Sequence, residues 1–276
     1  MFESVRNANE RRTIVSFTLE ASNVKTSRLL LGSVALFALG AVLQIVWPLT
    51  QAASYHHFAD ERSLGALPNA SDVLSNLVIL AAGIANLGWV VRRMSQRPLQ
   101  LPGMLAAAIG LILTAFGSAW YHAAPSDATL VWDRLPMTIV FAGILAMLWT
   151  SVSGMRVGWL QLLILVAVSV GTVGYWMAFE SLWPYAILQF GGLAVIVVMT
   201  VFRKVEGLGG WVMLIVFYAI AKAFESLDWQ IWALSHHLLA GHALKHVASG
   251  LAGFALLAVA NASRSTAAAS MPWRNA

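Results

Sequence analysis

The chain has 276 residues, of which 59% are hydrophobic and only 11% are charged. A soluble globular domain is about half apolar and about a quarter charged, so this composition excludes most soluble classes and indicates several membrane spans. The formal net charge of +5 is carried by basic residues that lie between apolar runs. We therefore expect no nucleic-acid partner. The absence of Cys excludes disulfides and thiolate metal sites.

Eight apolar runs approach the roughly 20 residues that a helix needs to cross a bilayer. Backbone polar groups in lipid need partners within their own segment, so each run predicts a transmembrane helix. The predicted spans are 29–48, 72–91, 102–122, 129–152, 158–178, 183–202, 210–226 and 239–260. The predicted fold class is therefore all-α, a polytopic membrane helix bundle.

The polar ends of the chain predict two tails around this bundle. Residues 1–28 are too long and polar before the first apolar run for a simple signal peptide, and we interpret them as a basic cytoplasmic tail. Residues 29–260 form the bundle, and 261–276 form a cytoplasmic C-terminal tail. Most of the 17 Lys and Arg residues fall on one side of the spans when both termini are cytoplasmic.

Unusual polar residues fall at the outer ends of these spans. Ser118 and His122 end the third span, Asp133 lies about one turn into the fourth, and His242 and His246 open the eighth. Four further polar residues are predicted at the same depth in the membrane, namely Ser75, Asn76, Glu225 and Asp228. Ionisable residues within spans are costly, and they usually face the bundle interior and mark a functional site.

The spacing of the histidines predicts a metal site near the extracytoplasmic side. His242 and His246, in GHALKH, lie four residues apart and therefore share one helix face. Together with His122, they would supply three imidazoles, which can hold zinc and leave a fourth position for water. Because Cys is absent, the available ligands favour zinc, with iron and manganese as open alternatives.

Each of these residues taken alone also has a structural interpretation. A single His at a helix end is commonly an interfacial side chain, and an H-x-x-x-H pair is weakly specific. Asp133 can pair with the adjacent Arg134, and Lys245 can extend to the outer surface. Glu225 can pair with Lys222 three residues earlier. The metal hypothesis rests on the joint occurrence of these residues at one depth.

The set GSAWYH, WDRLPM and GHALKH resembles the CREST superfamily of membrane hydrolases, above all its alkaline ceramidases and the bacterial proteins grouped with them. The family pattern has a Ser and a His four residues apart, an Asp eleven residues later, and an H-x-x-x-H pair in the last span. This chain matches that pattern over roughly 55–262. The resemblance implies a seven-helix core over 72–260, one extra N-terminal transmembrane helix, and a bacterial inner membrane.

The resemblance also implies roles for individual residues. His122, His242 and His246 are expected to bind Zn²⁺, with Ser118 and Asp133 flanking the bound water. Two features depart from the animal enzymes. Their calcium loop corresponds here to FADERSLGALPNASD, where oxygen ligands between Asp60 and Asp72 leave Ca²⁺ possible without predicting it. Lys245 stands where an aromatic residue is common, which puts the substrate in question.

The predicted function is zinc-dependent hydrolysis of an amide bond in a membrane lipid, with a ceramide-like N-acyl lipid as the first choice. Asp133 would move the proton of the attacking water to the leaving amine, and Ser118 would hydrogen-bond the developing oxyanion. The first alternative is a non-catalytic lipid-binding or receptor-like zinc protein. The second is an ion-coupled transporter that uses Asp133, Glu225 and Lys222 as a relay.

Overall fold

The computed structural model describes residues 26–269, with side chains described up to residue 262. Within this range the chain forms nine helices and no strand. Eight of them are long and apolar enough to cross a membrane. They are α1 (Thr26–Val46), α2 (Ala70–Arg93), α3 (Leu101–Ala123), α4 (Asp127–Ser153), α5 (Trp159–Phe179), α6 (Trp183–Phe202), α7 (Leu208–Ser226) and α9 (Gly241–Ala269).

The predicted fold class is confirmed, since all eight predicted spans are helices whose bounds differ by a few residues. The structure adds a short helix, α8 (Asp228–Leu234), which the apolar pattern did not predict. It also extends α9 to Ala269, past the predicted end at 260, because the polar segment that follows is rich in the good helix former Ala. Residues 1–25 of the predicted N-terminal tail and 270–276 of the predicted C-terminal tail lie outside the described residues.

Helix α1 lies at the side of the bundle, next to α5 and α6. Phe37 packs its ring 5.7 Å from that of Tyr175, and the Trp183 indole donates a hydrogen bond to the carbonyl of Trp47 at 2.7 Å. Gly40 approaches Pro184 so closely that a Cβ atom there would lie 2.7 Å from the proline ring. The helix is largely exposed, as expected of a segment that faces lipid.

Helices α3 and α4 approach to backbone contact near both ends of their shared interface. A Cβ atom on Gly143 would lie 2.7 Å from the Gly103 carbonyl oxygen and 2.6 Å from the Ala107 nitrogen. Near the other end of the pair, Gly117 lies directly against the Trp132 carbonyl. Small residues let membrane helices approach to backbone contact, and this contact places the end of α3 beside the start of α4.

Helix α6 contains a π-helical turn at Ile187–Gly191. Such turns insert an extra residue into the helix and occur frequently at functional sites. Here the turn carries Gln189, which is buried and donates a 2.6 Å hydrogen bond to the hydroxyl of Tyr218 on α7. The turn therefore directs a polar residue inward, into the interior of the bundle.

The contact between α3 and α4 predicts a matched pair of glycine variants. Gly143→Ala should destabilise the protein by about 1–3 kcal/mol, because the added methyl forces two packed backbones apart. Gly174→Ala, in α5, meets nothing within 4 Å and should be neutral or stabilising. Thermal unfolding in detergent measures both, and equal unfolding midpoints would contradict the close packing.

Candidate metal centre

Three buried histidines converge at one end of the bundle. His122 lies in the last turn of α3, and His242 and His246 lie in the first two turns of α9. Their possible ligand atoms all lie within 4.8 Å of one another. The ring centroids are 4.7 to 5.2 Å apart, and the rings meet at steep angles, between 61° and 87°, so they are not stacked. The predicted convergence of these three residues is therefore present.

The ring nitrogens of this triad fit a metal ion. Both nitrogens of His122 and Nε2 of His242 are buried without a hydrogen-bond partner among the described residues. Buried polar atoms almost always have a partner, and leaving several orphaned in one place is costly. Neutral imidazole nitrogens that point to a common centre are good ligands for zinc and related ions. A bound cation would satisfy one nitrogen of His122 and Nε2 of His242 together.

Ser75 orients His246 from helix α2. The Ser75 hydroxyl lies 2.8 Å from Nδ1 of His246 and donates its proton to the Asp72 carbonyl at 2.9 Å. Because this proton is used, the hydroxyl oxygen accepts a hydrogen bond from Nδ1. Nε2 of His246 then carries the free lone pair, so in this tautomer the ring can bind a metal through Nε2. A bond of this kind to the second nitrogen commonly tunes metal-binding histidines.

Asp228 fixes the start of α9 from the first residue of α8. Its buried carboxylate accepts a 2.8 Å hydrogen bond from the backbone nitrogen of His242 and a 3.0 Å bond from the backbone nitrogen of Ala59. The first turn of a helix has backbone N–H groups without internal partners, and a carboxylate there is favourable. Asp228 thus joins the metal-site helix to the loop between α1 and α2.

That loop closes the outer side of the triad. The buried ring of Phe58 lies 4.7 Å from the ring of His122 and 4.8 Å from that of His242. Asn69 ends the loop in the left-handed conformation and donates a 2.8 Å hydrogen bond to the His122 carbonyl. The loop therefore shields the imidazoles from solvent and holds the end of α3.

Ser118 and Asp133 are also buried, and they face each other across α3 and α4. The Ser118 side chain is hydrogen-bonded to the Asp133 carboxylate. Both residues line a cavity of about 320 Å³, together with His246 and many apolar side chains. His122 and His242 lie behind this lining. The serine–carboxylate pair therefore borders the triad on the side that opens to the cavity.

The structure confirms one of the three structural interpretations of neighbouring charged residues and contradicts the other two. Glu225 does pair with Lys222, at 2.6 Å. Lys245 does not extend to the surface, because its amine contacts the same carboxylate at 2.9 Å and its side chain is only 15% exposed. Asp133 forms no ion pair within 4.0 Å in the described chain; the neighbouring Arg134 donates instead to Gln51 at 2.6 Å.

Two of the oxygen ligands that left calcium possible, Asp60 and Asn69, are committed to other partners. The Asp60 carboxylate binds the Arg62 guanidinium at 2.8 and 2.9 Å and accepts a 2.7 Å hydrogen bond from Ser71. The Asn69 amide binds the end of α3. Asp72 is buried, and its carboxylate oxygens have no hydrogen-bond partner in the described chain. The only group of three or more possible His, Cys or carboxylate ligands found among the described residues is the histidine triad.

Four residues that complete the site had no assigned role in the sequence. Ser75 and Asp228 were noted only for their depth, and Asn69 only as a possible oxygen ligand. Phe58 was not singled out. The partners of Asp228 lie 14 and 169 residues away, and no local pattern connects them. Only Ser75 carried a usable signal, because it lies in the first turns of a helix that opens at the same depth as the triad.

Comparisons of the chain with family models, with curated proteins and with solved structures found no match. The resemblance to the CREST superfamily therefore stays a prediction from the motifs. The fold and the buried triad stand on the structure itself. Together they define a multi-pass membrane helix bundle with a possible metal centre at one end.

The triad predicts one metal ion per chain, bound through His122, His242 and His246. Elemental analysis of detergent-purified protein should find one equivalent, and His242→Ala should lose it. Ser75→Ala should lower the metal affinity by about 10–100-fold in a chelator competition, because it releases the His246 ring. Ser33→Ala is the control, since that hydroxyl bonds only the carbonyl of Leu29 in its own helix. Full metal content in His242→Ala would contradict the site.

The ion pair of the outer loop predicts a pH dependence of stability. Burial opposes ionisation of Asp60, but hydrogen bonds from Arg62 and Ser71 outweigh it and lower the pKa of Asp60 below its ordinary value of 3.8. The stabilisation is therefore fully present above pH 3.8 and is lost as the pH falls through the lowered pKa.

Asp60→Asn should accordingly lower the thermal unfolding midpoint at pH 7. The difference from wild type should shrink to nothing as the pH falls through the lowered pKa, because both side chains are then neutral. Glu61→Gln, at an exposed neighbouring position, should show no such difference at pH 7. A difference that persists unchanged at low pH would show that the carboxylate charge is irrelevant.

Proposed function

We propose that this protein is a zinc-dependent intramembrane hydrolase, similar to alkaline ceramidases, which cleaves an amide bond in a membrane lipid. One arrangement supports the proposal above all others. The histidine triad, the Ser118–Asp133 pair and a largely apolar cavity meet at one place in a membrane bundle. A ceramide-like N-acyl lipid, with a long acyl chain next to an amide, is the first choice of substrate.

Zinc is the proposed metal because three imidazoles and no thiolate form its common catalytic ligand set, with one position left open. When bound, the ion would polarise the amide carbonyl and make a water molecule acidic enough to react near neutral pH. His122, His242 and His246 hold the ion, and the loop around Phe58 keeps bulk water away from the outer side.

Asp133 is the proposed proton carrier. Its carboxylate accepts a proton from the attacking water as the water oxygen bonds to the carbonyl carbon. The carboxylic acid then gives this proton to the amide nitrogen as the carbon–nitrogen bond breaks. The products are a fatty acid and an amine, so one water molecule is consumed and the protons balance.

The hydrogen bond between Ser118 and Asp133 couples the serine to this proton transfer. An ionised carboxylate can only accept, so Ser118 donates to it in the resting state. Once protonated, Asp133 can donate to the serine oxygen instead. The serine proton is then released to stabilise negative charge on the carbonyl oxygen, a contribution that is typically worth about 3 kcal/mol.

The surroundings of the cavity suit a lipid that enters from the membrane. Apolar side chains dominate the lining toward the middle of the bundle, where an acyl chain would lie. Trp120 and Trp132 stack with their centroids 5.8 Å apart and are half exposed beside the site. Tryptophan favours the membrane interface. Because most Lys and Arg residues fall on the side of the termini, we propose that this interface is the extracytoplasmic one, with both termini in the cytoplasm of a bacterial cell.

A non-catalytic lipid-binding or receptor-like protein is the second candidate. It is favoured by the position of His122 and His242 behind the cavity lining, which limits the access of a lipid to the metal. In that case the triad would stabilise the bundle, and the cavity would retain its ligand. Mass spectrometry of lipid recovered after long incubation distinguishes the two, because only a hydrolase releases free fatty acid.

Three substitutions separate metal binding from chemistry. His242→Ala should lose both the metal and the release of fatty acid from an N-acyl lipid. Asp133→Asn should keep the metal and lose about 10²–10⁴-fold in kcat, and Ser118→Ala should lose about 10²–10³-fold. Ser153→Ala, at the far end of α4, should match wild type, since its exposed hydroxyl bonds backbone groups of its own helix end, the Trp149 carbonyl and the Met155 N–H. Undiminished hydrolysis by Asp133→Asn would overturn the mechanism.

A further inference from the structure

The cavity beside the triad carries an excess of positive charge. Three basic side chains line it, Arg134, Lys222 and Lys245, against two carboxylates, Asp133 and Glu225. The lining side chains sum to one positive charge before any metal is counted, and the buried Asp72 carboxylate lies outside this lining. Uncompensated charge inside a membrane bundle is costly and usually serves a ligand or a transport path.

The two lysines exceed what Glu225 requires. Each contacts a different oxygen of that carboxylate, Lys222 at 2.6 Å and Lys245 at 2.9 Å. One lysine would be enough to neutralise the carboxylate, and a second buried cation adds a desolvation penalty. Each ammonium group has three donors, and the bond to Glu225 uses only one. The pair can therefore donate to a further anion.

Arg134, on α4, contributes the third cation of the cavity lining. It is only 6% exposed and is surrounded by the rings of Tyr55, Trp176 and Tyr185 at 4.6 to 5.4 Å. Aromatic faces attract a guanidinium but do not neutralise it. Its Nη2 donates to Gln51, whereas its Nη1 is buried with no hydrogen-bond partner within the described chain.

Arg134 and Lys245 share two neighbours in the cavity lining. Both Arg134 and Lys245 interact electrostatically with Asp133 and with Tyr55. Lys245 is also adjacent in sequence to His246, which lines the same cavity. The excess charge is therefore concentrated at the polar end of the cavity, beside the proposed position of the reacting amide, and not along the apolar part.

We propose that Arg134, Lys222 and Lys245 bind an anionic group, a carboxylate or a phosphate, on the lipid that occupies the cavity. Calling this lipid a substrate rests on the proposed function, whereas the anion-binding site is argued from the charges of the cavity alone. It narrows the substrate class from any N-acyl lipid to one whose head group carries a negative charge near the amide. A neutral head group would leave the excess charge without a partner.

Non-cleavable lipids test the binding site independently of turnover. The probes are three hexadecyl ethers, namely hexadecyloxyacetate, 2-hexadecyloxyethanol and the phosphate monoester of that alcohol. They share one chain, lack an amide and differ in head-group charge. Wild-type protein in neutral detergent should bind one or both anionic ethers at least about ten-fold more tightly than the alcohol. Equal affinity for all three would overturn the proposal.

Variants of the two lysines test whether these cations cause the preference for the anionic ethers. Lys222→Met leaves the contact between Lys245 and Glu225 intact, so it should fold and should reduce the preference for the anionic ethers at least about three-fold. Lys245→Met should do the same, with the metal content measured in parallel. Lys204→Met removes an exposed lysine at the other end of the bundle and is the matched control. An unchanged preference in both cavity variants would reject the assignment.

Two further arms identify the source of the anion and separate this inference from the proposed function. Millimolar inorganic phosphate that displaces the anionic ethers would point to a soluble anion and reject the lipid head group. Hydrolysis of N-palmitoylglycine and N-palmitoylethanolamine with equal kcat/KM would keep the hydrolase and reject the anion site. Anion preference in the ethers without any hydrolysis would keep the site and reject the hydrolase.

Discussion

The need of buried imidazole nitrogens for a partner is the constraint on which the site depends. His122, His242 and His246 are removed from water by three helices and by the loop that carries Phe58. In such surroundings an unpaired nitrogen costs far more than it does at a surface. The contacts of Ser75 and Asp228 hold this arrangement in place without using the nitrogens that face the centre. The supporting bonds thus preorganise a ligand set and leave its inner side open.

The same low-polarity interior makes the charges of the cavity selective. An ion pair such as Lys245–Glu225 is strong there, and an excess cation is expensive. A ligand that brings the missing negative charge lowers the free energy of the complex by more than its contacts alone would suggest. The apolar part of the cavity offers no such discrimination, because one acyl chain packs much like another. Affinity for the chain and selectivity for the head group are therefore divided between the two ends of the cavity.

Hydropathy and helical spacing were enough to predict much of this molecule. The eight spans follow from the length of the apolar runs, and the pairing of His242 with His246 follows from their separation of four residues. The start of α9 is different, because Asp228 caps it from a seven-residue helix that is too short to be recognised by its pattern. Arg134 is similar, since its partner Gln51 is 83 residues away. Local patterns predict elements and shared faces, whereas partners distant in sequence depend on how the helices pack.

Lys245 shows how one helical turn can serve both parts of the site. In GHALKH, positions 242, 245 and 246 are separated by three and four residues, so their side chains lie on one face of α9. The alternative in which the amine extends to the surface does not hold, because Glu225, at the end of α7, offers a partly buried partner. The turn that brings two imidazoles to the metal position therefore also directs a fixed positive charge to the edge of the cavity. In the proposed function, metal binding and head-group recognition would share one rigid element, so a lipid held by its charge would also be held at a defined distance from the reacting groups.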